Sequence, residues 1–187
     1  VRAAGTCGLH HDGDMESTPS SAPIDPLQET IDYIAVRRLQ DAYADVVTRR
    51  AWPELAELFR PDALVTVDKR SGDPLQLPGP TAVGDFIGHA ISGFSFFEFV
   101  ILGTRVQLGV GGDSDAATAR MYMSELRQDA GNGHWSTVYG VYHDRYARLE
   151  GRWWFAGRRY HSLARTEAAM DIFAFPAHLT DLTDLTD

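Results

Sequence analysis

Between Glu29 and Arg50 the apolar residues Ile31, Ile34, Ala35, Leu39, Ala42, Tyr43, Val46 and Val47 return at intervals of three and four. That spacing puts them on one face of an α-helix. Trp52-Pro53 restarts a shorter helix, with proline in its first turn and Leu55, Leu58 and Phe59 as its buried stripe. Pro61-Asp62 is expected to end it. Ala63 to Asp68 (ALVTVD) then alternates and is rich in β-branched residues, which predicts a strand running into a Gly/Pro-rich turn from Ser71 to Pro80. A third helix is predicted over Thr81 to Ile91, with Val83, Phe86, Ile87 and Ala90 on one side.

From Phe94 onward the pattern changes to that of a sheet. Four long strand-like segments, Phe96 to Leu108, Ala116 to Arg127, Ser136 to Leu149 and Trp153 to Leu163, are separated by the turn sequences GVGGDSD, DAGNG and LEG. Three helices followed by consecutive long strands predict an α+β fold with an antiparallel meander rather than βαβ units. Strands of this length twist and curl, and one helix layer on a curled sheet leaves a concave interior suited to a ligand.

Composition sharpens this picture at the ends. Residues 15–26 (MESTPSSAPIDP) are rich in Ser, Pro and acid and cannot bury enough apolar surface to offset the cost of ordering. Residues 1–26 are therefore expected to be a disordered extension, 27–166 the domain, and 167–187 a C-terminal tail. The initial Val and internal Met15 suggest that residues 1–14 are an upstream extension with no part in the fold. The tail closes on LTDLTDLTD, whose leucines share a helical face too short to stand alone.

The net charge of −9 is concentrated in these ends, where Asp12, Asp14, Glu16, Asp25, Asp181, Asp184 and Asp187 face Arg2 alone. The nearly balanced centre offers no footprint for nucleic acid. Cys7 is the only cysteine, so there is no internal disulfide. No segment approaches the roughly 18 to 20 apolar residues of a membrane span, and a cytoplasmic location is expected.

The first helix carries Val36-x-x-Leu39-x-x-x-Tyr43, followed by Trp52-x-x-Leu55-x-x-Leu58-Phe59-x-x-Asp62-Ala63. The last two strands read Gly140-x-Tyr142-x-Asp144-x-Tyr146-x-Arg148, then Gly151-Arg152-Trp153 and Arg158-Arg159. In this order, over roughly residues 29–165, these motifs resemble the NTF2-like superfamily and its SnoaL-like branch of polyketide cyclases, scytalone-dehydratase-like and bile-acid-dehydratase-like enzymes. The resemblance implies a cone of three N-terminal helices on a strongly curved antiparallel sheet. It also implies acid–base chemistry without a cofactor, of lyase or isomerase type, and a homodimer or higher oligomer formed through the sheet face. Dehydratases of the branch place an Asp five residues after the helix tyrosine, where it orients a pocket His. Here that position is Thr48, and Phe96-Phe97-Glu98-Phe99 occupies the region where the His is expected.

The candidate catalytic residues are therefore Tyr43, His143, Asp144, Glu125, Arg158 and Arg159. Tyr43 is a hydrogen-bond donor to a substrate oxygen, or else a core tyrosine. One of His143, Asp144 and Glu125 is a base, each with a packed or ion-paired alternative. Arg158 or Arg159 is an electrostatic clamp, or the partner of Asp144. Phe59, Phe97, Phe99, Met121, Met123, Trp153 and His161 are expected to line the pocket, whose aromatic and thioether walls suit a flat apolar small molecule. No histidine pair has metal-ligand spacing, so neither metal nor cofactor is expected. A non-catalytic binding or assembly module of the same fold is the alternative, favoured by the missing Asp–His dyad.

Overall fold

The computed structural model describes residues 25–70, 72–166 and 171–172. Most of the N-terminal lead-in and the LTDLTDLTD repeat lie outside the described residues. Helix α1, Pro26–Arg49, starts where Asp25 accepts a hydrogen bond from the Leu27 amide (3.2 Å) and Pro26 supplies a φ already suited to a first turn. It stops at Arg50, which adopts the left-handed conformation (φ 60°) and returns its amide to the last helical carbonyls. The short helix restarted by Trp52-Pro53 is a 3-10 segment, Trp52–Glu57. Helix α2 spans Gly79–Ala90 and packs closely on it, with Gly84 and Gly88 lying against the Trp52 side chain.

The strands are β1 Phe59–Asp68, β2 Leu75–Pro78, β3 Phe94–Leu108, β4 Ala116–Asp129, β5 Trp135–Leu149, β6 Arg152–Arg165 and β7 Asp171–Ile172. Their order is β2-β1-β6-β5-β4-β3, with β7 pairing the end of β6. The expected antiparallel meander is β3 to β6. Strand β1 joins its β6 edge in parallel, which makes the sheet mixed: α2 and three strands of meander supply the crossover that a parallel pair needs. Two local expectations change. Pro61-Asp62 lies inside β1, where the pairing with β6 is irregular between Phe59 and Leu64, so a residue without an N–H is tolerated. Part of the expected Gly/Pro turn is β2, paired to β1 from Leu64 to Val67.

Both helices cover the concave face of the sheet, α1 against β3 and β6 and α2 against β1. The core between them holds Val36, Leu39, Tyr43 and Val47 of α1 against Phe97, Met121, Met123 and Phe155 of the sheet. Each large apolar side chain so buried contributes about 1.5–3 kcal/mol relative to exposure. Alternation along each strand decides which residues join this interior. On β4 they are Ala117, Ala119, Met121, Met123 and Glu125; on β5, Tyr142, Asp144 and Tyr146.

Candidate functional site

One end of the cone is open. There, α1, α2 and the inner faces of β1, β3, β4, β5 and β6 enclose a cavity of about 260 Å³. Its walls are largely apolar: Val47, Val65, Val67, Leu77, Val83, Phe86, Ile87, Ile91, Phe99 and Val138. Its polar groups are the phenols of Tyr43, Tyr142 and Tyr160, the carboxylate of Glu125, and the cations Lys69, Arg127 and Arg165.

Glu125 is the one carboxylate in this lining. Burial pushes its pKa up, opposed by the positive charges of Arg127 and Arg165. The opposition is incomplete because its ion pair with Arg127 is long, at 3.9 Å. Burial also raises Tyr160, to about 12, with the charge of Glu125 adding to the effect. Tyr43 is raised by burial too, and the Arg158 guanidinium pulls it back. Its ring is clasped edge-on by Phe59, Phe99, Tyr142 and Phe155, with centroids 5.4–6.4 Å away, so the phenol points in a defined direction.

Behind the cavity lies a second polar cluster, closed to solvent at Gln40, Asp144, Tyr146 and Arg158. Arg158 donates from Nε and Nη2 to the two oxygens of Asp144 (2.6 and 2.8 Å), and both side chains are at most 1% exposed. Tyr146 donates to Asp144 Oδ2 (2.8 Å), Gln40 donates to the Tyr146 hydroxyl (2.8 Å), and Arg37 donates to Gln40 Oε1 (2.8 Å). The guanidinium is also held between rings, 4.1 Å from the centroids of Tyr43 and Tyr142 and 4.4 Å from that of Phe155. Burial disfavours its charge, yet Asp144 holds its pKa above the ordinary value. Arg158 Nη1 has no hydrogen-bond partner among the described residues.

Tyr43, Glu125 and Phe99 thus meet in the cavity. Asp144 and Arg158 sit beneath it as an ion pair. Phe59, Phe97, Met121 and Met123 point into the same interior without reaching the cavity, and Phe59 stacks on Phe155 at 4.7 Å. Trp153 lies at the closed end, where its indole donates to Asp32 (2.9 Å) beside the Arg148–Asp32 pair. His143 and Arg159 stand opposite one another across β5 and β6 on the outer face, since their neighbours Tyr142, Asp144 and Arg158 point inward. His161 is on that outer face too, its Nδ1 3.2 Å from Asp68 Oδ2. Strand alternation therefore turns these three away from the cavity.

Tyr142, Tyr160, Lys69, Arg127 and Arg165 were not singled out from the sequence. Parity carries the signal for most of them: once Glu125 and Arg158 are inward, so are Arg127 and Tyr160. Thr48 has a structural task, its hydroxyl accepting a hydrogen bond from the Phe99 amide (3.0 Å) and tying α1 to β3. Among the described residues no three His, Cys, Asp or Glu side chains are grouped to hold a metal ion, and no helix is long and apolar enough to cross a membrane.

The architecture is shared with solved structures. Hexachlorocyclohexane dehydrochlorinase LinA-type3 from Novosphingobium barchaimii LL02 superposes with a TM-score of 0.66 at 19% identity, over 81% of this chain and 100% of that one. A provisionally assigned scytalone dehydratase from Novosphingobium aromaticivorans gives 0.64 at 17% identity, over 77% and 92%. An NTF2-like protein with a cystatin-like fold from the same species gives 0.60 at 18%, over 76% and 87%. At these identities the likeness is one of fold. No curated protein matches the sequence. The SnoaL-like domain model matches residues 28–159, from α1 to the inward Arg158 and its outward neighbour, and the chain belongs to the SnoaL-like domain family.

Proposed function

We propose that the cavity is the active site of a cofactor-independent acid–base enzyme, of lyase or isomerase type, acting on an apolar oxygenated ring compound. The observation that carries this is the pairing, in one apolar cavity, of a carboxylate with a raised pKa and phenols held in fixed orientations. A base works best when its pKa lies near the working pH, and burial moves Glu125 in that direction. In a dehydration, Glu125 takes the proton from the carbon beside a carbonyl. The C–H electron pair becomes the new double bond, the C–O bond breaks, and the departing hydroxide leaves as water with the proton of Tyr43. The proton held by Glu125 then restores Tyr43. In an isomerisation the same proton returns to a different carbon. Arg158 lies against the Tyr43 and Tyr142 rings and favours negative charge developing on their oxygens.

The volume bears on substrate size. At about 260 Å³ the cavity lies just below the range usual for ligand pockets, roughly 300–1,000 Å³. One or two rings suit it better than four. Cyclic β-hydroxy ketones of that size, followed by the absorbance of the conjugated enone product, are the appropriate screen. Glu125→Gln and Tyr43→Phe are each expected to lower kcat by about 10²–10⁴-fold while ligand binding survives. Unchanged turnover in both removes the roles assigned to them.

The alternative is a binding module of the same fold. It draws support from Thr48, whose hydroxyl is committed to the backbone at the position where relatives in the branch carry the Asp of their dyad. Ligand binding that persists with no turnover of any member of the screen would favour it.

A further inference from the structure

The mouth of the cavity carries positive charge that the described protein does not match with carboxylates. Lys69 follows the last residue of β1, Arg165 is the last residue of β6, and both line the cavity. Neither forms an ion pair among the described residues. Arg165 donates only to neutral oxygens, from Nε to Ser162 Oγ and from Nη2 to the Lys69 carbonyl, both at 3.3 Å. The Lys69 ammonium is exposed and stands 5.7 Å from the centroid of the Phe86 ring. Arg37, Arg49, Arg60, Arg70, Arg148 and Arg158, by contrast, each have a carboxylate within ion-pair distance. Three cations therefore face the single carboxylate of the cavity, and Glu125 is already in reach of Arg127.

From this placement we infer that Lys69 and Arg165 bind an anionic group, of the size of a carboxylate, carried by the apolar ligand; the inference rests on the cavity being a ligand site. Register supports the geometry. Glu125 is opposite Val138 on β5, and Val138 is opposite Arg165 on β6, so all three form one transverse row on the inner face. Two strand spacings separate the ends of that row, about 9–10 Å. Along this row a ligand places its anionic end at Arg165 and Lys69 and its reacting carbon toward Glu125. The planar guanidinium suits a carboxylate, and the apolar walls formed by Val65, Val67 and Phe86 exclude water that would otherwise screen the attraction.

The test compares naphthalene-2-carboxylate with naphthalene-2-carboxamide, which share shape but differ in charge, by calorimetric titration at low ionic strength. The full chain is expected to bind the carboxylate roughly tenfold or more tightly than the amide. Lys69→Gln and Arg165→Gln should each reduce that preference, and the double variant should abolish it, the carboxylate affinity falling to that of the amide. Circular dichroism and thermal unfolding like the parent's report that the variants are folded. Equal affinities in the parent protein, or a preference that survives in the double variant, overturn the inference while leaving the cavity a ligand site. Binding of neither probe overturns both readings.

Discussion

The interior of this protein holds two polar regions that obey opposite rules. At the closed end each buried charge has an ion-pair partner, with Arg158 Nη1 alone of the Arg158–Asp144 pair making no hydrogen bond among the described residues. Asp144 accepts three hydrogen bonds, two from Arg158 and one from Tyr146, and Asp32 accepts from Arg148 and Trp153. At the open end Glu125 has one long ion pair, to Arg127, with the charge of Arg165 also acting on it, and among the described residues neither Lys69 nor Arg165 has a carboxylate within ion-pair distance. Polar groups paired within the protein rigidify a core, whereas a buried carboxylate with only a long ion pair still has hydrogen-bonding capacity to offer. The closed end is thus a scaffold that fixes the rings of Tyr43 and Tyr142, and the open end is where those rings meet something from outside.

The largest expected effect tests the scaffold. Asp144→Ala leaves the Arg158 guanidinium buried and unanswered, and urea unfolding should show a loss of about 3–5 kcal/mol. Replacing both partners by apolar residues of similar volume, Asp144→Leu with Arg158→Met, should restore most of it. A loss below about 1 kcal/mol in the single variant would erase the distinction between the two regions.

Gly140→Ala probes the boundary between them. A Cβ there overlaps the Tyr160 ring and comes within 3.0 Å of Met123 Sδ. Thermal unfolding should report a loss of about 1–3 kcal/mol, together with weakened ligand binding as Tyr160 is displaced. Thr48→Val removes the acceptor for the Phe99 amide and should cost about 1 kcal/mol in denaturant unfolding, with the cavity otherwise intact.

The smallest effect is a slope. The folded pKa of Glu125 is raised above its ordinary value of 4.5, so the folded state holds this proton more firmly than the unfolded state. Its contribution to stability is fully present below pH 4.5 and is lost as pH rises through the folded value. Glu125→Gln should therefore gain stability relative to the parent as pH increases above 4.5, in unfolding curves recorded across that range. A difference independent of pH would mean that the fold holds the Glu125 proton no more firmly than the unfolded chain does.

Much of the fold was legible before the structure. The α1 stripe and the four long strands could be read from local periodicity, because helix and strand place side chains at periods of 3.6 and 2 whatever surrounds them. The parallel pairing of β1 with β6 could not, since no local pattern states which edge a strand joins. The same limit governs the site. Alternation along β5 sets His143 against Tyr142 and Asp144, but nothing in the sequence tells which of the two faces holds the cavity.

The chain by itself determined the alternation within each element, which sets Asp144 against His143 and Arg158 against Arg159, because that depends only on neighbours along the chain. Tertiary structure decided depth. Trp153, Phe155, Arg158 and Tyr160 all point inward from β6, yet only Tyr160 of these four reaches the cavity, while Arg158 is sealed beneath it. Depth follows from register between strands distant in sequence and from where α1 and α2 close over the sheet. Those are long-range packing outcomes, and they separate the answered acid, Asp144, from Glu125, the one left facing the cavity.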